Sequence, residues 1–315
     1  SGYQRVVGRA PNYNPAEDAQ ALRAAMKGLG TDEEPIVEIL TKLTNEERQL
    51  LINEYTMQFG RNLIEDLRSE LGSNFENVIV ALMYKPEEYL CKELHDAMAG
   101  IGTNEQTLVE IICTRTGDEL ANLDKTYEIL YNVKLCDKMR DETSGEFRQL
   151  LTMLLAGARD EKKAADPASA AETAQTLFAA GAARWGTDDE AFARVLARES
   201  FAQLRLIFDE YKSISGTTIE QAINDELSGD FKDALLAIVE CVQNKYDWYA
   251  RRLRNAMAGM GTDDHTLIRI VVSRSEIDLA NIKHAYEILF SKTLASKDET
   301  SGNYQRALLK LIGNP

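Results

Sequence analysis

Apolar positions along the chain recur at helical spacing. Ile36, Ile39 and Leu40 follow Pro35, residues 108–112 and 267–272 repeat that arrangement, and denser runs containing Val78, Leu82 and Met83, or Leu235, Leu236 and Val239, come later in each copy. Strict alternation of apolar and polar residues is missing and the periodic segments are joined by short loops. That pattern predicts an all-α architecture. The longest apolar runs, residues 78–83 and 150–158, fall well short of the roughly 18 residues that a spanning helix needs. A membrane, if the protein meets one, is met at its surface.

The periodic segments belong to a unit written four times. Its loop reads MKGLGTDE from Met26, MAGIGTNE from Met98, ARWGTDDE from Ala183 and MAGMGTDD from Met257. Gly30, Gly102, Gly186 and Gly261 are separated by 72, 84 and 75 residues, and the surplus in the middle gap falls in the charged, proline-bearing stretch 158–172. That stretch reads as a linker between two repeat pairs. The expected organisation is a tail at 1–16, repeats at 17–86 and 87–158, a linker at 159–171, and repeats at 172–245 and 246–315. Each repeat is expected to hold about five helices.

The threonine after each glycine loop sits three residues before Glu or Gln in three copies: Thr31 with Glu34, Thr103 with Gln106, Thr187 with Glu190. This spacing predicts a capping box with threonine as N-cap. Pro35 then falls in the first helical turn, where its missing N–H costs little. A second signature closes each repeat: SELGSNF from Ser69, DETSGEF from Asp141, DELSGDF from Asp225 and DETSGNY from Asp298. Its Gly and Ser residues mark a turn. Repeat one reverses their order, with Gly72-Ser73 where its siblings have Ser-Gly, and an altered turn is expected there.

Charge narrows the partners. With 36 Lys and Arg against 51 Asp and Glu the net charge is −15, which argues against nucleic acid, whose binding begins with clustered cationic side chains. An anionic partner requires a cationic intermediary. Cys91, Cys113, Cys136 and Cys241 form no CxxC pair and no dense framework, and the polar, proline-bearing start has no secretory pattern; both favour a reducing, cytoplasmic setting.

The acid of the second signature lies 44 residues after the loop start in three repeats: Met26 to Glu70, Met98 to Glu142, Ala182 to Glu226. In an up-down bundle the two loops emerge at one end, so the acid faces the glycines. Glycines let a tight loop turn carbonyl oxygens inward, and a carboxylate adds two more hard oxygens, a donor set suited to Ca²⁺. Three carbonyls and a bidentate glutamate supply five of the about six to eight ligands calcium takes, leaving positions for water and an outside oxygen. One carboxylate against a dication leaves a local charge of about +1, enough to hold a phosphate oxygen. Neither an EF-hand loop nor a phosphate-binding G-x-x-x-x-G-K-[ST] loop is present. Two other readings stand beside this one. The loops could be plain helix-start turns on a helical scaffold that binds a protein, or the chain could be a hydrolase, although His95, His265 and His284 join no nucleophile signature.

The repeats, GxGT loops, distant acids and long central stretch resemble the annexin family over essentially the whole chain from about Asp18. The resemblance implies four five-helix repeats packed into a curved disk, no enzymatic activity, and reversible calcium-dependent binding to acidic phospholipid membranes of the phosphatidylserine type, in a context of membrane organisation or trafficking. It implies calcium ligands at Met26, Gly28, Gly30 and Glu70; at Met98, Gly100, Gly102 and Glu142; at Gly181, Arg184, Gly186 and Glu226; and at Met257, Gly259, Gly261 and Glu299. Loop residues Lys27, Leu29, Ile101, Trp185 and Met260 are the expected membrane contacts. The fourth repeat departs from the pattern: Met257 to Glu299 spans 42 residues, two fewer than its siblings, and Asp298 stands where they carry Leu67, Met139 or Ile223. A shortened acid-bearing helix and a weakened fourth site are expected.

Glu33, Glu105, Asp189 and Asp264 match accessory calcium positions of the family, and complementing a helix dipole explains them equally well. Glu93, Glu110, Arg115, Arg269 and Arg274 match its central charge pairs, while Leu90 replaces an acid expected opposite Arg115; buried structural ion pairs are expected there. The protein is expected to be a cytoplasmic monomer, peripheral at membranes when calcium is high, with trimers or arrays on a bilayer implied by the resemblance.

Overall fold

The structure is a computed structural model that describes residues 12–182, 188–296 and 302–313. Its described residues form α-helices and one 3₁₀ turn. Repeat one holds α1 (Ala16–Met26), α2 (Glu33–Lys42), α3 (Asn45–Phe59), α4 (Leu63–Glu70) and α5 (Ser73–Met83). Repeat two holds α6 (Pro86–Ala97), α7 (Glu105–Ile112), α8 (Gly117–Tyr131), α9 (Leu135–Glu142) and α10 (Gly145–Leu155). Repeat three holds α11 (Pro167–Ala182), α12 (Asp189–Arg198), α13 (Phe201–Ser215), α14 (Ile219–Glu226) and the first half of α15 (Gly229–Ala256). The second half of α15, α16 (Asp264–Arg274), α17 (Leu279–Phe290), the 3₁₀ turn Leu294–Ser296 and α18 (Gly302–Ile312) make repeat four. The all-α expectation of four repeats of about five helices holds.

α15 is continuous only in outline. Asn244 leaves helical geometry at φ −158° and ψ 94°, and its side-chain oxygen accepts from the amides of Tyr246 and Asp247 at 3.1 and 3.3 Å. Asn244 therefore caps a new helix while the chain bends.

The chain divides into two compact units: residues 1–89 with 249–315, and residues 90–248. In the first, α5 packs against α2, α3, α4, α16 and α18. Six consecutive residues of α5, from Val78 to Met83, are buried; a helix enclosed on all sides is apolar all round. α18 shows the contrasting amphipathic case. Tyr304, Ala307, Leu308, Leu311 and Ile312 face inward, while Arg306 and Lys310 reach Glu38 of α2 at 2.5 and 2.9 Å. In the second unit α11 packs on α13, and α10 on α8, α9 and α12.

The stretch 158–172 lies wholly within the second unit. It joins repeats two and three within one compact body. Its charges complete neighbouring helices. Arg159 is buried and donates to the carbonyls of Leu196 and Glu199 at 2.7 and 2.8 Å, at the end of α12. Its guanidinium lies 4.8 Å from the Phe201 ring centroid. The Asp166 amide donates to Gln203 Oε1 at 2.8 Å and the Gln203 amide returns to the Asp166 carbonyl at 3.0 Å. These groups satisfy polar atoms that helix ends leave open.

Arg48 does for repeat one what Arg159 does for repeat three. The Arg48 side chain is fully buried in α3 and donates to Leu40, Leu43 and Leu82 carbonyls at 2.8, 2.7 and 3.3 Å. Burial lowers its pKa to about 10, opposed by Glu276, whose carboxylate is 3.9 Å away. The residue matching Arg48 in repeat three is Leu204, so Arg159 supplies the guanidinium from outside the repeat.

The residue that opens the last helix of each repeat has the same left-handed backbone. Gly145, Gly229 and Gly302 open α10, α15 and α18 with φ of 60°, 67° and 67°, and Ser73 opens α5 with φ 53°. The expected altered turn is absent: Ser73 adopts the glycine conformation. A left-handed non-glycine residue costs roughly 1–2 kcal/mol, partly offset by the entropy glycine loses on folding. Ser73 is exposed, so Ser73→Gly is expected to stabilise the protein by about 0.5–1 kcal/mol. A urea denaturation midpoint unchanged or lowered in that variant would refute the account.

Candidate calcium site

Three described loops share one geometry. Each leaves a helix whose final turn buries a methionine side chain or its neighbour: Met26, Met98 and Met257 are all buried. A single backbone hydrogen bond closes each loop, from the amide of Asp32 to the Ala25 carbonyl (2.9 Å), Asn104 to Ala97 (2.8 Å) and Asp263 to Ala256 (2.7 Å). The third loop closes from Asp188 to Ala180 at 3.3 Å, one residue longer than its siblings.

The glycines between these points require their lack of a side chain. φ is 110° and 82° at Gly28 and Gly30, 84° and 90° at Gly100 and Gly102, and 106° and 99° at Gly259 and Gly261. No atom would meet a Cβ at any of them, so backbone conformation rather than crowding selects glycine. Between each pair stands an apolar residue at full exposure: Leu29 at 108%, Ile101 at 110% and Met260 at 107%. Lys27 is exposed beside Leu29. Buried methionines fix the loop base while the apolar tips stand in water.

Glu70, Glu142 and Glu226 are the last residues of α4, α9 and α14. A helix C-terminus carries partial negative charge, so a carboxylate there is unfavourable without a cation. In repeat one the acid is drawn to the loop: Thr31 Oγ1 donates to Glu70 Oε2 at 2.6 Å. In repeat two Thr103 Oγ1 donates to the Glu142 backbone carbonyl at 3.1 Å, and the carboxylate pairs with Lys138 Nζ at 2.6 Å. The structure thus joins glycine loop and distant acid in both repeats.

The capping-box expectation is corrected. Asp32, Asn104, Asp188 and Asp263, each directly after the threonine position, are the N-caps and accept from Glu34, Thr107, Ala191 and Thr266 amides. An Asp or Asn side chain caps better than threonine. In repeats one and two this frees the threonine hydroxyl to meet the acid-bearing segment. Thr187 lies outside the described residues.

The third and fourth sites are only partly described. Gly181 lies in the last turn of α11, where a Cβ would stand 3.6 Å from the Phe192 ring. Arg184, Trp185 and Gly186 lie outside the described residues, as does Glu299. In repeat four the 3₁₀ turn Leu294–Ser296 is described at the position where α4, α9 and α14 begin in the other repeats, and the expected shortening falls on residues 297–301, outside the described residues.

Two accessory acids have structural partners. Glu33 accepts from Asn303 Nδ2 at 2.8 Å, and Asp264 accepts from Asn74 Nδ2 and Tyr304 OH, both at 2.7 Å. They pin the start of one repeat's second helix to the start of another's last. In the second unit, burial and then neighbouring Glu146 and Asp188 raise the Asp189 pKa. Of the expected charge pairs, Arg274 pairs with Asp278, which is fully buried, at 2.7 and 2.6 Å; sequence reasoning missed Asp278 because α16 ends between them. Arg115 donates to the Ile111 carbonyl at 2.8 Å and Arg269 to Thr266 Oγ1 at 3.2 Å. Among the described residues no helix is long and apolar enough to cross a membrane.

Four helical repeats, of which the first two are described with a glycine loop joined to a helix-terminal acid, define a class of α-helical repeat protein. A family model described as Annexin matches residues 17–82, 89–154, 172–238 and 249–311. Annexin B10 of Drosophila melanogaster is 52% identical over 313 residues, 98% of each chain. The solved structure of annexin III superposes with a TM-score of 0.96 at 43% identity, covering 99% of this chain and 98% of that one. A calcium-bound annexin (Sm)1 structure aligns with a TM-score of 0.86 at 30% identity, covering 100% and 94%. The chain belongs to the annexin family, whose members are non-enzymatic and bind phospholipid membranes in a calcium-dependent way.

Proposed function

We propose that this chain binds acidic phospholipid surfaces reversibly through Ca²⁺ held by its glycine loops. Backbone oxygens of Met26, Gly28 and Gly30 with the Glu70 carboxylate form the first site, and Met98, Gly100 and Gly102 with Glu142 the second. Gly181, Arg184, Gly186 and Glu226 form a third. Met257, Gly259 and Gly261 with Glu299 form a weakened fourth, because its loop-to-acid spacing is two residues short and Asp298 replaces the apolar residue of the other repeats. Bound there, calcium supplies positive charge and open coordination positions for a headgroup phosphate or carboxylate oxygen. The observation that carries this reading is Thr31 Oγ1 holding Glu70 at 2.6 Å across 39 residues of sequence, in a loop whose glycines leave open space.

The protein's own groups set the rest. One carboxylate with neutral carbonyls places intrinsic affinity near about 10⁻⁴ to 10⁻³ M. Lipid oxygens that complete the site tighten calcium binding by the factor by which calcium tightens lipid binding. Leu29, Ile101, Met260 and Trp185 provide apolar contact at the interface, with Lys27 facing anionic headgroups. Several loops acting together turn modest single affinities into firm attachment.

Co-sedimentation with phosphatidylserine-containing and pure phosphatidylcholine vesicles across a calcium titration tests the proposal. The expected result is pelleting only with acidic vesicles, only with calcium, and reversed by chelator. No pelleting at millimolar calcium would return the loops to simple turns on a protein-binding scaffold.

A further inference from the structure

The two fully described loop–acid pairs treat their acids differently. In repeat one a neutral hydroxyl, Thr31, donates to the Glu70 carboxylate. In repeat two the carboxylate of Glu142 is held by an ammonium, Lys138 Nζ, at 2.6 Å, one helical turn earlier on α9. The matching position in repeat one is Asp66, which is committed to Arg61 and Tyr55 at 2.7 and 2.6 Å, and in repeat three it is Ala222. Of the two fully described pairs, the second places a cation from its own helix on its carboxylate and the first does not.

We propose that Lys138 is an internal counter-ion that competes with calcium for Glu142 and sets a higher calcium threshold for the second loop than for the first. This rests on the calcium-binding reading above and deepens it. A dication entering the second loop must displace the ammonium from Glu142 Oε1 and then tolerate a like charge nearby. A dication entering the first loop displaces only a hydroxyl hydrogen bond. Both Lys138 and Glu142 side chains retain partial exposure, at 30% and 26%, so the ammonium can swing into water and the competition stays moderate. An exposed i,i+4 pair of this kind corresponds to a roughly two- to fivefold change in an equilibrium constant. The loops therefore load in order, the first before the second, and the membrane-bound state is reached over a broader calcium range than identical sites would give.

The test is calcium titration by calorimetry and by pelleting on phosphatidylserine vesicles, comparing the intact chain, Lys138→Ala, Lys138→Arg, and Lys138→Ala with Glu142→Gln. A background of Glu70→Gln, Glu226→Gln and Glu299→Gln isolates the second loop. Lys138→Ala is expected to lower the calcium needed at that loop roughly two- to fivefold. Lys138→Arg, which keeps the charge, should stay near the starting value, and the gain should vanish when Glu142 is glutamine. An unchanged or raised calcium requirement in Lys138→Ala, in a protein that still pellets with calcium, overturns the counter-ion role and leaves the calcium reading intact. Failure of the unaltered chain to bind calcium or vesicles at all overturns the reading on which it rests. Circular dichroism should show full helicity throughout, because a surface pair on α9 contributes little to folding.

Discussion

Glu70→Gln, Glu142→Gln and Glu226→Gln combined are expected to abolish calcium-dependent vesicle binding while the helical fold stays intact. Glutamine keeps the shape of each side chain and removes the charge that balances a dication. If each loss weakens one loop by about tenfold, three loops acting together lose on the order of a thousandfold in avidity. Folding should tolerate the change, because all three acids end helices and none is buried; removing a negative charge from a helix C-terminus is mildly favourable. Glu299→Gln serves as the internal comparison in the same pelleting assay and should cost much less than Glu70→Gln, since Met257 to Glu299 is two residues shorter than in the sibling repeats and Asp298 replaces their apolar residue. Retained pelleting in the triple variant would show that other groups hold the ion.

Arg48→Met is expected to produce the largest stability loss, about 3–5 kcal/mol. Methionine fills much of the volume but donates nothing, so the carbonyls of Leu40, Leu43 and Leu82 lose their guanidinium partners in a buried position. Glu276 also loses the charge 3.9 Å from its carboxylate. Arg159→Met should act in the same direction by a smaller amount, having two carbonyl partners at the end of α12 instead of three. Urea unfolding followed by circular dichroism measures both. A loss below about 1 kcal/mol for Arg48→Met would mean that water or a shifted helix end replaces the guanidinium.

Much of this architecture was legible before any coordinates because it is written four times. Helical periodicity in Ile36, Ile39 and Leu40 marked α2, whose buried stripe is Ile36, Val37, Leu40 and Thr41 with Ile39 at its half-buried edge, and repetition at fixed spacing pointed to Glu70 and Glu142 as partners of the glycine loops. What stayed hidden depends on choices between chemically similar neighbours. Thr31 and Asp32 can both cap α2, and only the competition between them decides that Asp32 does so while Thr31 turns to Glu70. Residues 158–172 have the composition of a solvated connector, yet a guanidinium can be buried when carbonyls at a helix end await donors, and Arg159 finds them at Leu196 and Glu199. The partition into residues 1–89 with 249–315 and residues 90–248 was equally hidden. Spacing along the chain says which segments are alike, not which ones pack together.

The backbone hydrogen bonds that close the loops have a use of their own. The amides of Asp32, Asn104 and Asp263 do the same job in three places, donating to Ala25, Ala97 and Ala256. Each exchanges its proton for deuterium only when its own loop opens, so its exchange rate is a clock belonging to that loop. Anything that binds the closed form slows the clock in proportion to its occupancy. Isotope exchange at these three positions can therefore separate events that a bulk titration merges, and give the order in which the loops engage a surface one amide at a time.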